Sequence, residues 1–200
     1  HSCQLIMPQI ILASSSIYRK ELLNRLLLEF KIVKPDVREV RLESETAYNT
    51  ADRLAEEKAK KVSIQFKDAI IIGCDQTAEY SNIQIQKPLN FKTAVSQLKK
   101  LSGKRVNFHS AICVHYAKKN IFQKKVISFD VKYKNLNSKE IKNYLEIEKP
   151  FNCIGSIKSE GLGITLLDEI NSSDPTAIIG LPLITLVNML HKVGININGG

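Results

Sequence analysis

The chain has no run approaching the roughly 18 consecutive apolar residues of a membrane helix, so a membrane partner is not expected. It has no basic start followed by a long apolar stretch, the pattern of a secretory leader. Its four cysteines (Cys3, Cys74, Cys113 and Cys153) form no CxxC pair. That spacing gives no disulfide framework or zinc site, and a reducing, cytoplasmic setting is expected. The four histidines are equally scattered. There is no internal repeat, no low-complexity linker and no GxxxxGK[ST] phosphate loop, and Gly161-Leu-Gly163 is too sparse for a dinucleotide motif. What is present is ordinary for a folded domain: 200 residues, 44% hydrophobic and 24% charged. Disorder, collagen and coiled coil are excluded. Met7-Pro8 suggests the natural start, with residues 1–6 a non-native leader and residues 7–200 a single domain.

The net charge of +9 is unevenly spread. Ten basic residues and one acid, Asp130, lie between Lys99 and Lys134, so this window alone carries the excess. A basic surface can attract nucleic acid, an anionic membrane or a phosphorylated small molecule. These residues come as doublets without regular aromatic interleaving, which reads first as a solvated face and weighs against nucleic acid.

Residues 9–13 read as a buried strand, followed by Ser14-Ser15-Ser16 and a helix bearing Leu22, Leu23, Leu26 and Leu27. A Ser-rich turn at a helix N-terminus is a natural anion site. A second strand is expected over residues 30–34. Residues 50–66 read as a helix whose apolar face includes Lys58, either a snorkelling edge residue or a cation aimed into a cleft. Residues 69–73 read as a buried strand with Asp75 just past its end, where ligands gather in open α/β sheets. Strand pieces around 76–80 and 83–86, a helix over 91–101, a hairpin of 106–116 with 121–133, and a helix over 138–147 follow. Asp174-Pro175 reads as an N-cap and first-turn proline. Pro182 opens a last helix with Leu183, Leu186, Val187 and Leu190 as its stripe. The class is α/β: a mixed twisted sheet flanked by helices, in two lobes around a cleft.

Several polar groups stand where folding alone does not ask for them: Ser14, Arg19, Glu39, Lys58, Asp75, Lys87, Lys158 and Glu160. Three lysines and an arginine suit a polyphosphate. Glu39 and Asp75 could hold a divalent cation and activate water. Singly, each has a plainer role as cap, snorkelling lysine, surface acid or turn residue.

Together they resemble a family. Ile11-Leu-Ala-Ser-Ser-Ser-Ile-Tyr-Arg-Lys-Glu-Leu-Leu23 is similar to the opening signature of the Maf nucleotide pyrophosphatases. Leu54-Ala-Glu-Glu-Lys58-Ala, Ile72-Gly-Cys-Asp75-Gln, Lys87-Pro-Leu, Leu101-Ser-Gly103 and Gly180-Leu-Pro-Leu183 follow in the family's order. Tyr18, Gln76 and Glu160 resemble the marks of the 7-methyl-GTP pyrophosphatase branch; the dTTP/UTP branch typically has Arg, Thr and Gln there.

The resemblance implies a Maf/ITPase-like fold with a central nucleotide-binding cleft. It implies hydrolysis of a nucleoside triphosphate to the monophosphate and pyrophosphate, a homodimer, and magnesium or a similar divalent cation. Asp75 would be the base, assisted by Lys58, Lys87 and Glu39; Asp75 and Glu39 would serve the metal. Ser14 and Arg19 would join the two lysines on phosphate, and Tyr18, Gln76, Lys158 and Glu160 would meet the nucleotide. An aromatic face at Tyr18 suits the cationic 7-methylguanine ring, and a carboxylate at Glu160 suits its N1–H and N2–H2 edge. The alternatives are a dTTP/UTP pyrophosphatase, or a nucleotide- or nucleic-acid-binding protein without turnover. The chain departs from the family at Ile17 (usually Pro), Lys20 (Arg), Tyr18 (Trp in this branch), Gln86 (Gly) and Ser110-Ala111 (Thr-Gly).

Overall fold

The computed structural model describes residues 7–199; the leader expected at residues 1–6, with Cys3, lies outside the described residues. The elements run β1 (Ile10–Ala13), α1 (Ile17–Asn24), β2 (Phe30–Ile32), α2 (Ala47–Ser63), β3 (Ile70–Tyr80) and β4 (Ile83–Ile85). Then come α3 (Phe91–Leu101), β5 (Arg105–Tyr116), β6 (Ile121–Tyr133), α4 (Ser138–Glu148), β7 (Leu167–Asn171) and α5 (Leu183–Lys192).

The sheet order is β2-β1-β3-β5-β6-β7, with β4 also paired to β3. β1 runs parallel to β2 and β3; the pairs from β3 through β5 and β6 to β7 are antiparallel. Ile10, Leu12, Ile70, Ile72 and Cys74 face α1 and α5. Ile11, Ala13 and Ile71 face the alanine-rich stripe of α2. Farther along the long strands, Phe108, Phe129 and Val131 pack with α3 and α4 in a separate apolar cluster. These are the two expected lobes, joined by β3, β5 and β6.

Several details differ from the sequence reading. β3 is one strand of 11 residues, not two pieces, because pairing with β5 continues from Ile71 to Glu79 straight through Gly73. α2 begins at Ala47, where Thr46 accepts a hydrogen bond from the Asn49 amide. Asp174 caps no helix of its own; its carboxylate accepts from the Thr185 amide in the first turn of α5 at 2.9 Å. β7, which carries little alternation, was not expected. No helix among the described residues is long and apolar enough to cross a membrane.

Candidate active site

The cleft arises from a gap along one edge of β3. β1 covers that edge as far as Gly73, and β4 covers it from Ala78. Asp75 lies in the interval. It therefore stands mid-strand and not past a strand end; the strand that ends beside it is β1. Beyond Ala13 the chain turns away through Ser14–Ser16, with the Ser16 side chain capping α1.

Asp75 shares its face of β3 with Gly73, and α2 presses on that face. A Cβ at Gly73 would sit 2.2 Å from the Ala55 carbonyl oxygen. This close approach brings Lys58 inward on the buried stripe of α2, where it is only 3% exposed. Its Nζ lies 2.8 Å from Asp75 Oδ1 and 3.0 Å from Glu39 Oε1. Burial pushes the Asp75 carboxyl above its ordinary value, and the nearby Lys58 and Arg19 charges do not cancel that rise. Burial would raise Glu39 too, but Lys58, Lys87 and Arg19 together hold it below its ordinary value. Oδ2 of Asp75 has no protein hydrogen-bond partner among the described residues.

Arg19 is aimed by two contacts. Its Nε donates to the Gly180 carbonyl at 2.8 Å, and one terminal nitrogen approaches Ser14 Oγ at 3.5 Å. Gly180 has a φ of 113°, and a Cβ there would crowd the guanidinium at 3.3 Å. The Gln76 amide donates to Ser110 Oγ and to the Ala177 and Ile178 carbonyls, pinning the turn that precedes Gly180. Lys87 is exposed at the rim and makes no ion pair among the described residues.

The cavity has a volume of about 830 Å³, within the roughly 300–1,000 Å³ of small-molecule sites. It brings together Ser14, Tyr18, Arg19, Glu39, Lys58, Asp75, Gln76, Lys87 and Glu160. Burial pushes the Tyr18 phenol up to about 12, with Cys153 and Glu160 adding to the shift; Tyr18 is thus a neutral aromatic beside a carboxylate. Lys158 is the exception. It does not line the cavity, and its Nζ pairs with Glu148 of α4 at 3.0 Å. Lys34, Arg41 and Cys153 line the cleft without having been singled out; basic residues flanking the Pro35 loop were the signal available for the first two. No residue of the basic 99–134 window lines it.

Residues 9–193 match the family described as Maf-like protein. The chain belongs to the Maf-like protein family. It is 46% identical over 191 residues to the 7-methyl-GTP pyrophosphatase of Methylobacillus flagellatus, covering 96% of this chain and 100% of that relative. It is 44% identical over 194 residues to the protein of that name from Nitrosospira multiformis, covering 97% and 98%. A third, from Colwellia psychrerythraea, is 44% identical over 191 residues, covering 96% of each.

A divalent cation at this site would have two protein carboxylates, Glu39 and Asp75, to hold it. No group of three or more His, Cys, Asp or Glu side chains among the described residues could hold a metal alone. Glu39 and Asp75 nevertheless converge on one point, the Lys58 ammonium. Two carboxylates suit Mg²⁺, which keeps several waters and is completed by substrate phosphates. The Ile17 departure is mild: it is the first residue of α1, 61% exposed, where proline only pre-sets φ and the Ser16 cap remains.

Proposed function

We propose that this protein is a nucleoside triphosphate pyrophosphatase that hydrolyses 7-methyl-GTP to 7-methyl-GMP and pyrophosphate. The observation that carries the reading is the buried Lys58–Asp75 pair, with the half-exposed Glu39 carboxylate against it, at the floor of a cleft rimmed by Arg19 and Lys87. Such a pair has little structural justification, because a carboxylate and an ammonium are costly to desolvate. A polyphosphate beside Arg19 and Lys87 gives it a purpose.

In this reading Asp75 Oδ2 accepts a proton from the attacking water. The water oxygen bonds the α-phosphorus, and the bond from that phosphorus to the bridging oxygen breaks, releasing pyrophosphate. Lys58 keeps the Asp75 carboxylate oriented through Oδ1 and leaves Oδ2 free. Arg19, Lys87 and Ser14 hold phosphate oxygens. Asp75 and Glu39 would hold a divalent cation such as Mg²⁺, which offsets triphosphate charge. At the other end, Tyr18 offers an aromatic face to a cationic base, with a cation–π gain of about 0.5 to 2 kcal/mol. Glu160 accepts from the guanine edge, and Gln76 shapes the floor between. The same proposal covers a single domain over residues 7–200, a cytoplasmic setting, a homodimer, and no role for nucleic acid.

The test is product analysis across 7-methyl-GTP, GTP, UTP and dTTP with magnesium. Pyrophosphate and monophosphate in equal amounts, fastest from 7-methyl-GTP, are expected. Preference for UTP or dTTP would overturn the base assignment, and no turnover of any triphosphate would overturn the enzyme.

A further inference from the structure

We propose that Glu148 is a positioning residue for base selection. With Lys158 it clamps the turn that carries Glu160, and it sets nucleobase discrimination without touching the nucleotide. The inference rests on the reading of Glu160 as the residue that meets the base.

Glu148 ends α4 and is nearly covered, its side chain 12% exposed. One carboxylate oxygen, Oε1, accepts from the Leu162 amide at 2.9 Å; the other takes the Lys158 ammonium at 3.0 Å. The two contacts fall on either side of Glu160. Within the turn, the Gly161 and Gly163 amides both donate to the Lys158 carbonyl, at 3.1 and 3.0 Å. The Lys158 amide donates to Tyr144 Oη at 3.0 Å, and that hydroxyl donates to the Ser156 carbonyl. Both ends of the turn are therefore tied to α4, and Glu160, between the anchors, is left exposed at the cleft.

The glycines of Gly161-Leu-Gly163 now have a physical reason. A Cβ at Gly161 would stand 2.6 Å from the Glu148 carboxylate, and one at Gly163 would stand 2.4 Å from the Lys158 carbonyl oxygen. A side chain at Gly163 would strike the Lys158 backbone, and one at Gly161 would push the Glu148 carboxylate off its place. The pattern is that of a carboxylate-gripped turn and not of a dinucleotide loop. The hydrogen bond from Leu162, then that from Lys158, holds the Glu148 carboxyl below its ordinary value, so the clamp is charged at neutral pH. The role of Lys158 is accordingly to grip Glu148, not to approach the nucleotide.

A binding group displaced by an ångström can cost up to about 100-fold even when the displacement begins far from the chemistry. The experiment compares kcat and KM for 7-methyl-GTP and GTP in the wild type, Glu148→Ala, Glu148→Gln, Lys158→Met and Glu160→Gln. The two nucleotides differ only at the base, so general destabilisation lowers both alike. Glu148→Ala is expected to lower the 7-methyl-GTP to GTP selectivity by about tenfold, through KM, with kcat near wild type. Glu148→Gln, which keeps an acceptor for Leu162, should fall between the two, as should Lys158→Met; these remain readable if Glu148→Ala does not fold. Unchanged selectivity in the Glu148 and Lys158 variants, with a loss in Glu160→Gln, overturns the clamp and leaves the Glu160 reading standing. Unchanged selectivity in Glu160→Gln overturns that reading and the clamp with it.

Discussion

At Asp75, burial and neighbouring charge pull in opposite directions, and burial wins. A base whose affinity for protons rises toward the working pH is better matched to taking one from water. Because Lys58 favours the carboxylate, Lys58→Met should move the acid limb of the kcat/KM profile to higher pH; a limb that stays put or moves down contradicts the arrangement. Asp75, Lys58 and Glu39 were legible in the sequence, since a lysine on an apolar helical face, an acid next to a buried strand segment and an acid after a proline-containing loop stand out by type. The direction of Lys158 was not. Its partner, Glu148, lies on another element, and local spacing says nothing about which of two acids, Glu148 or Glu160, a lysine will meet.

Two elements deliver the cluster, and each depends on one residue outside the charged cluster itself. α2 can reach Asp75 only because Gly73 has no side chain. Gly73→Ala should destabilise the fold by about 1 to 3 kcal/mol or more, measured by denaturant unfolding, and should lower activity beyond what the unfolded fraction explains. The loop bearing Glu39 is tied to α2 through Glu45, which accepts from Arg53, Thr50 and the Leu42 amide. The Arg53 hydrogen bond, chiefly, holds the Glu45 carboxyl down at about 2. Its folded value lies below its unfolded one, so its stabilisation is full above the ordinary carboxyl range and fades as pH falls toward 2. Glu45→Ala should therefore cost about 1 to 3 kcal/mol at neutral pH, and the gap from wild type should close on acidification. A gap independent of pH contradicts this. Most elements were legible because their periodicity was clean: α3 and the β5–β6 hairpin match the expectation within a residue. β3 was split because Gly73-Cys74-Asp75 interrupts its apolar run, and only the pairing with β5 shows it to be continuous.

At the scale of the whole molecule, the charge divides as its sequence distribution suggested. Lys124 pairs with Asp52 and Glu56, Lys118 with Asp68, and Arg105 with Asp130 and Glu169. Three of the ten basic residues of the window are thus paired, mostly with acids from other segments. Replacing Lys99, Lys100, Lys125 and Lys134 by glutamine should change kcat/KM for 7-methyl-GTP by less than about threefold at physiological salt, where charges more than about 8 Å from the cleft are screened. A large loss would assign that face to the substrate. The fold class and the two lobes were legible from element order. The gap on β3 that makes the cleft was not, since it depends on where two other strands stop.

The central claim is that Asp75, held by Lys58 through one oxygen, uses the other to deprotonate water. Its most direct test is pyrophosphate release from 7-methyl-GTP by Asp75→Asn, which keeps the shape and removes the base, with nucleotide binding measured alongside. Binding should persist and turnover should fall by at least about 100-fold, the scale of a lost general base. Turnover at the wild-type rate would contradict it.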